Sequence, residues 1–504
     1  MSQAGQLTVR HEHDHTHGAL DFRVRRRDRY SIELKFRHLL DPEQERFPRR
    51  RSTRIRVLFF LPYSFNIRPD TLEPEEFYDD VKLYVRFNTP AMGIDELLGT
   101  NATDSPLWRL GRLLTHPASV DTGTLRYEAK LLGSITKSVL RDSVNERTRG
   151  VERVEQSRVD GFCAIVNRLH ESFDAYRRVL ESDDLPESAR THLRLVDEHL
   201  SLTIENYLVR MLTDRTVKRS GVSLQPLRDA IRVQQEYRRG RRYRSVACDP
   251  ENTRRREEYI YRSKMLKHYA ASVLFFEIRR GNQARRVEHL LYAVAAGIAM
   301  AIATGISFIG QVRFGALSTT LFLVLVVGYM IKDRLKDAIR AAFQRTLGRL
   351  FYDRRTVFKD QSTHKAMGVV KERTMFVQQH RLEPELLAAR ARGGFEEAIM
   401  RTNPEQALEY TKLLRIHERR LHRMHRRITG LADINIIDVK NLLRYLARQR
   451  ETVPVVEDGE VRLEETNRIY HLNMLISANV GTGEQWHKVR LVVDAGGIRR
   501  VERP

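Results

Sequence analysis

Four histidines near the start of the chain are the residues best suited to metal chemistry. In the segment HEHDHTH, His11, His13, His15 and His17 stand at alternate positions. Neutral imidazoles bind zinc, copper and nickel, so a metal role is chemically reasonable. We favour the alternative interpretation, a flexible tail that takes up metal only adventitiously.

Two further groups of histidines resemble metal sites only loosely. In HERRLH, His417 and His422 are five residues apart, whereas an HExxH zinc site needs its histidines four apart. His192 and His199 are seven apart and share a helix face, but no Glu-x-x-His pair accompanies them. We therefore expect neither a metal nor a cofactor.

The two cysteines, Cys163 and Cys248, exclude a disulfide scaffold and a four-cysteine zinc site. Cys163 lies among apolar neighbours, where a thiol is usually inert, while nearby arginines can lower the pKa of Cys248. The sequence contains no phosphate-binding loop, dinucleotide fingerprint, nucleophile elbow or kinase motif. We assign no catalytic residue and expect a non-enzymatic protein, although active sites can also assemble from scattered residues.

Two uncharged apolar stretches in the middle of the chain are the strongest structural signal. Residues 290–309 and 314–331 carry no charge, and only GQVR separates them. Twenty helical residues cover the hydrocarbon layer of roughly 30 Å, because each adds about 1.5 Å. The sequence thus predicts a transmembrane hairpin over residues 287–332 in a mainly α-helical membrane protein. A buried hairpin in a soluble core is the alternative.

Basic residues flank both stretches and predict the orientation of the hairpin. Such residues remain cytoplasmic, so we expect a multi-pass protein of the cell membrane with both termini in the cytoplasm. They are also expected to bind anionic headgroups, and the stretch 232–286 extends this charge with 16 basic against six acidic residues. A solvated face or nucleic acid are the alternatives, and the position beside the hairpin favours lipid. The flanking residues are Arg279, Arg280, Arg285, Arg286, Lys332, Arg334 and Lys336.

Small residues recur every four positions along the first apolar stretch. Ala293, Gly297, Ala301 and Gly305 lie on one helix face, where two backbones can approach closely. This face can pack against the second helix of the hairpin or against another copy of the chain. The second option, together with the helical patterns described next, predicts a homo-oligomer.

The rest of the 504-residue chain divides by the periodicity of its apolar residues. Alternation in segments such as Ile55, Val57, Phe59 and Leu61 predicts small β-sheet segments at 29–92 and 451–504, near both termini. Spacings of three and four predict helical cytoplasmic regions at 93–286 and 333–450, with a helix pair in 151–214. Residues 1–28 are expected to be a disordered tail.

The segment 404–429 shows the clearest helix pattern of the C-terminal part. Asn403 and Pro404 form a start signal, Gly430 a stop signal, and the apolar seam alternates steps of three and four. We therefore predict a coiled-coil-like helix, which with the pair in 151–214 is a candidate contact for a protein partner. The pattern includes His417, which we expect to be a satisfied interface residue.

The net charge of +23 and the apolar hairpin together give the functional expectation. We expect an integral membrane protein whose cytoplasmic domains act as a scaffold, sensor or self-assembling module. The alternatives are an oligomeric channel or membrane-disrupting effector, a membrane-tethered enzyme without a known motif, and the tethering of nucleic acid.

Overall fold

The computed structural model describes most of the chain, in segments separated by short gaps. The described residues are 6–9, 20–39, 51–99, 103–116, 120–180, 185–245, 252–315, 318–350, 352–361, 364–391, 405–424, 430–457, 460–479 and 486–502. The histidines of HEHDHTH and Cys248 therefore lie outside the described residues.

The chain divides into two compact units. The β-sheet unit comprises Met1–Val85, Phe276–Met424 and Gly430–Pro504, and the helical unit is formed by Arg86–Phe275. Of the described residues, 52% are helical and 29% lie in strands. The expectation of a mainly α-helical membrane protein is therefore wrong, because large antiparallel sheets account for much of the structure. The finer division into six segments stays a prediction.

The helices are distributed over both units. Those of the helical unit are α2 to α9, and α1, α10, α11, α12 and α13 belong to the β-sheet unit. Their bounds are α1 Pro74–Asp80, α2 Ile94–Leu98, α3 Pro106–Leu113, α4 Thr122–Thr148, α5 Gln156–Val179, α6 Glu187–Thr213, α7 Arg215–Arg219, α8 Gln225–Gly240, α9 Thr253–Ala271, α10 Gln283–Phe314, α11 Thr319–Leu350, α12 Pro384–Ala391 and α13 Glu418–Met424.

The strands form a five-stranded, an eight-stranded and a two-stranded sheet. The first has the order β1-β2-β3-β10-β5, the second β15-β14-β13-β4-β9-β8-β7-β6, and the third is the pair β11-β12. The bounds are β1 Gln6–Val9, β2 Leu20–Arg26, β3 Ser31–Leu39, β4 Arg51–Leu61, β5 Val81–Phe87, β6 Glu277–Asn282, β7 Arg354–Lys359, β8 Ala366–Val377, β9 Gln406–Ile416, β10 Gly430–Asp438, β11 Arg450–Glu457, β12 Glu460–Asn467, β13 Tyr470–Asn479, β14 Trp486–Asp494 and β15 Gly497–Glu502.

The core of the β-sheet unit lies between the two larger sheets. Alternate residues of β3 and β4, such as Leu34 and Val57, point into this core and meet Leu491 of β14. The opposite face of the eight-stranded sheet packs beneath α12, where Phe60 contacts the cluster around Leu386. Successive strand residues point to opposite faces, so the period-two pattern at 29–92 correctly marked β3, β4 and β5 as strands.

In the helical unit, α6 is the central helix and contacts α4, α8 and α9. Helices α5 and α6 form close to the bounds predicted in 151–214, but they do not pack along each other as the predicted pair; side-chain hydrogen bonds from Tyr176 and Arg177 to Asp197 link them instead. Asp121 begins α4 by accepting hydrogen bonds from the backbone amides of Gly123 and Thr124 at 3.2 and 3.0 Å, which satisfies two otherwise unpaired donors.

The coiled-coil prediction for residues 404–429 is wrong. Residues Gln406–Ile416 form β9, a central strand that pairs with β4 on one side and β8 on the other. Among the described residues of this segment, only Glu418–Met424 is helical. Because both faces of β9 are buried, Leu408 and Tyr410 face one side while Ala407 and Leu413 face the other, so the alternation that identifies a half-buried strand is lost.

The two-span membrane hairpin is also contradicted. Helix α10 continues through the expected link GQVR to Phe314, and the chain turns after Gly315, whose φ is 72°. The predicted second span, 314–331, is therefore shortened at its start. The uncharged part of α11 runs only from Thr319 to Ile331, about 20 Å at 1.5 Å per residue. Among the described helices, Leu290–Phe314 is the one long and apolar enough to cross a membrane, which is weak evidence by itself, so a multi-pass protein is not supported.

Candidate functional site

Helices α10 and α11 pack side by side as an antiparallel pair. A methyl group added at Gly310 would come within 3.2 Å of Leu321 and Val324, and one at Gly328 within 3.3 Å of Ile306. These glycines permit the two backbones to approach closely. The contacts also fix the register, because residue numbers rise along α10 as they fall along α11.

This register places the charged part of α11 beside the middle of α10. The guanidinium of Arg340 lies 4.6 Å from the ring centre of Tyr292, which continues the same alignment. Lys332 is then level with Ala301, so only the distal part of the pair is apolar on both helices. We call residues 302–314 and 318–331 the apolar tip; each helical segment of the tip is about 20 Å long.

The apolar tip exposes large hydrophobic side chains. Phe308 is 64% exposed, Phe322 63% and Val312 88%. Soluble monomers rarely expose contiguous apolar patches of more than a few hundred Å², and larger ones mark contacts with lipid or protein. Other exposed hydrophobic residues of the pair are Leu290, Val294, Ile298, Met300, Ile302, Ile309, Phe314, Leu323, Leu325, Val326, Val327, Tyr329, Met330 and Ile331.

The small-residue stripe lies on the outer side of α10. Ala293, Gly297 and Ala301 are exposed, and a methyl group added at Gly297 or Gly305 would meet no atom within 4 Å. The face of α10 that packs on α11 instead contains Ala295 and other buried small residues. A role of the stripe in contacts between copies stays a prediction.

The basic residues predicted to bind headgroups lie on two elements. Lys332, Arg334 and Lys336 belong to α11, and the Lys332 ammonium sits 3.7 Å from the ring centre of Tyr329. Arg279 and Arg280 lie on β6, where Arg279 donates a 3.0 Å hydrogen bond to Glu277. Arg285 and Arg286 lie in the first turn of α10, and their side chains lie outside the described part.

A buried carboxylate on α6 is the centre of the polar network in the helical unit. Asp197 is fully buried and accepts hydrogen bonds from the Tyr176 hydroxyl and Arg177 Nε, both at 2.9 Å. It also accepts from the hydroxyls of Tyr237 and Tyr243, at 2.6 and 2.7 Å. Four donors occupy its two oxygens, so the carboxylate binds α5 and α8 to α6 and has little capacity left for a ligand.

This network raises the pKa of the tyrosines that donate to Asp197. Burial is the largest cause, followed by the charge of the carboxylate, and both disfavour a phenolate at Tyr176 and Tyr243. The phenols therefore remain protonated donors at neutral pH. Sequence reasoning missed the network, although Asp197, Ser201 and Glu205 follow one another at steps of four on a helix with an apolar seam.

A second buried ion pair lies between the sheets of the β-sheet unit. Lys412 of β9 and Asp433 of β10 are both fully buried; the Lys412 ammonium donates to Asp433 and, at 2.8 Å, to the side-chain oxygen of Asn435. Burial raises the pKa of Asp433, and Lys412 opposes that shift. The pair cross-links the sheets, and the helix prediction for 404–429 concealed it.

The histidines and the cysteine singled out in the sequence have structural surroundings. The Tyr269 hydroxyl lies 2.6 Å from Nδ1 of His192, and His199 Nε2 lies 3.4 Å from the Thr203 hydroxyl. Burial raises the pKa of the Cys163 thiol to about 11, so it is protonated at neutral pH. In the part of the chain that the structure describes, no three His, Cys, Asp or Glu residues group as metal ligands.

Comparison with known proteins identifies no relative: no family model, no curated protein and no solved structure matches the chain. The candidate site therefore rests on geometry and chemistry alone. The apolar tip with its adjoining basic residues is the surface of the described residues that most requires a partner.

Proposed function

We propose that this protein binds a lipid bilayer with anionic headgroups, with the apolar tip as the part that enters the hydrocarbon. The observation that carries the proposal is the exposed apolar surface of α10, because only 17% of the apolar segment in Leu290–Phe314 is buried. At about 25 cal/mol per Å², a large apolar surface left in water is costly, and lipid removes that cost.

The register between the helices limits the depth of insertion. Lys332 and Arg334 follow the apolar part of α11 directly and favour the headgroup layer, so the tip enters to about 20 Å rather than crossing the roughly 30 Å layer as two spans. The rings of Tyr292 and Tyr329 suit the membrane interface, where aromatic residues are enriched. Arg313 lies at the turn, where a long side chain reaches polar groups more easily than at mid-helix.

The basic residues of α11 supply the charge complementarity to anionic lipid. Each basic residue near the surface contributes about 1 kcal/mol to membrane binding. Since basic residues flank both ends of the pair, we also propose that both units lie on the cytoplasmic side of the cell membrane.

The proposal is tested by flotation of the full-length protein with vesicles of phosphatidylcholine alone or with about one third phosphatidylserine. The wild type should float with the vesicles, more completely when phosphatidylserine is present. The double variant Ile309→Asp, Phe322→Asp should remain at the bottom of the gradient, because it places charge in the hydrocarbon. The matched control Val233→Asp, Ile260→Asp changes two exposed apolar residues of the helical unit and should float like the wild type.

A second pair of variants tests the charge contribution. Replacing Lys332, Arg334 and Lys336 by glutamine should weaken binding to phosphatidylserine vesicles by about 3 kcal/mol, or roughly a hundredfold, at low salt. The control replaces Lys218, Arg219 and Arg228 of the helical unit by glutamine. The proposal would be refuted if the wild-type protein were water-soluble without detergent and bound neither kind of vesicle. If the Ile309→Asp, Phe322→Asp variant then changed a soluble oligomer to a monomer, a second copy would be the partner of the tip.

A further inference from the structure

The strands β11 and β12 form a hairpin that stands apart from the two larger sheets. It is a sheet of its own, and every residue of Arg450–Glu457 and Glu460–Asn467 is exposed. A strand of eight residues is about 26 Å long, so the hairpin is an extended arm. Isolated two-stranded hairpins are marginally stable in water, so this arm gains most from a surface on which to pack.

The two faces of the arm differ in chemistry. Pairing of Val456 with Val461 and of Pro454 with Leu463 groups four apolar residues on one face. Val456 is 70% and Leu463 72% exposed. The other face carries the directly opposed pair Glu457 and Glu460 together with Glu464. One arginine, Arg462, lies on this face and pairs with Glu457 at 3.4 Å, and Val453 and Val455 lie between the charged residues. Like charges directly opposite each other destabilise a hairpin, so these carboxylates gain from a basic partner.

The charge of the arm is opposite to that of the rest of the chain. Residues 450–467 contain two arginines and six acidic residues, a net charge of −4, whereas the whole chain carries +23. A second copy of this chain is therefore a strongly complementary partner. Charge complementarity of this kind accelerates association and selects the orientation of binding.

A basic concave surface in the same unit matches the acidic face. It lies on the outer side of β2 and β3, encloses about 110 Å³ and is lined by Arg23, Arg25, Lys35 and Arg37 with one acid, Glu33. Arg23 pairs directly with Lys35 across the strands. Alternate strand residues lie about 6.8 Å apart on both surfaces, so carboxylates of the arm can face several basic side chains at once.

We propose that the β11–β12 arm of one copy docks on the β2–β3 face of a second copy. The acidic face of the arm contacts the basic residues, and Val453 and Val455, which lie on that face, are covered by the contact. The interaction does not involve the apolar tip, so it stands or falls independently of lipid binding.

Charge exchange between the two surfaces tests the proposal on full-length protein in mild detergent. The arm variant carries Glu457→Arg, Glu460→Arg and Glu464→Arg. The face variant carries Arg23→Glu, Lys35→Glu and Arg37→Glu. The dissociation constant of the dimer is measured by light scattering after gel filtration and by native mass spectrometry, at low and at high salt. A control variant reverses three exposed glutamates of the helical unit: Glu152, Glu155 and Glu171.

Each variant alone should weaken the dimer at least tenfold, whereas an equimolar mixture should form a heterodimer, because the reversed charges again match. The control should dimerise like the wild type. A second arm variant, Val453→Ser with Val455→Ser, changes the apolar residues of the docked face and should also weaken the dimer without changing its charge. A wild type that is monomeric at all concentrations, or a mixture of variants that forms no heterodimer, would overturn the proposal, and misfolding is excluded by equal thermal melting of all variants.

Discussion

Burial of His199 makes the helical unit sensitive to mild acid. The imidazole lies on α6 against Gly133, where an added methyl group would come within 3.1 Å of the ring. Burial, together with the smaller effect of the nearby charges of Lys137 and Lys267, lowers the pKa of His199 to about 4. In the unfolded chain the pKa returns to about 6.5. Between these two values the unfolded state binds a proton that the folded state does not bind.

The sign and the size of the effect follow from this difference. Stability from the neutral ring is fully present above pH 6.5 and is lost as the pH falls towards 4, after which it changes no further. At pH 5, proton binding shifts the unfolding equilibrium towards the unfolded state by a factor of about 30. The free energy of unfolding is therefore about 2 kcal/mol lower than at pH 7.5. Burial also lowers the pKa of His170 and His192, which adds to the loss in the same direction.

The measurement is urea unfolding of the full-length protein at several pH values, followed by the circular dichroism of the helices. His199→Gln removes the titrating group and keeps a polar side chain of similar size. The variant is less stable than wild type at pH 7.5, but its stability should decline by about 2 kcal/mol less between pH 7.5 and 5. The control is His116→Gln, at an exposed residue. If His199→Gln and wild type showed parallel pH profiles, the argument from burial would be refuted.

Three further substitutions test the packing and the buried charges, each by the midpoint of urea unfolding. Asp197→Ala should lower the free energy of unfolding by about 3–5 kcal/mol, because it leaves the Arg177 guanidinium buried without its carboxylate; Asp174→Ala, at an exposed partner of the same arginine, should cost less than about 1 kcal/mol. Lys412→Met should be far less destabilising when combined with the replacement of its buried acidic partner by leucine, since removing both charges leaves neither unpaired. Gly497→Ala should destabilise by more than about 1 kcal/mol, because φ is +127° and the new methyl group meets the Arg29 carbonyl.

The sequence predicted those elements whose burial is one-sided. In β4, Ile55 and Val57 alternate with Arg54 and Arg56, so the period of two is visible without the structure. The same holds for α5, whose apolar residues recur every three or four positions between charged ones. These patterns arise because one face packs on a core while the other meets water, and the primary sequence records both environments.

The sequence could not predict elements whose surroundings are set by distant parts of the chain. Strand β9 pairs on its two edges with β4 and β8, from segments more than 300 and about 40 residues away, and both of its faces are buried in cores that other parts of the chain complete. Its apolar residues then have no strand period, and steps of three and four gave a false helix. The turn between α10 and α11 was mispredicted for a different reason. Arg313 was expected to lie in the link between the helices, but helix propensity extends α10 past this residue, and Gly315 ends the helix.

The pairing of the buried charges explains why both proposed partners, the anionic lipid headgroups and the acidic arm of a second copy, carry negative charge. Among the described residues, each fully or nearly fully buried Arg or Lys has a specific acidic partner, as Arg238 has Glu205 and Arg390 has Glu405. The positive excess of the chain therefore lies on its surface, where ions in solution screen it over about 8 Å at physiological salt. Salt should consequently weaken docking of the acidic arm severely. Membrane binding should lose only its headgroup contribution and retain the part that comes from Phe308 and the other apolar residues of the tip, because apolar burial does not depend on charge. Raising the salt thus separates the two interactions within one protein.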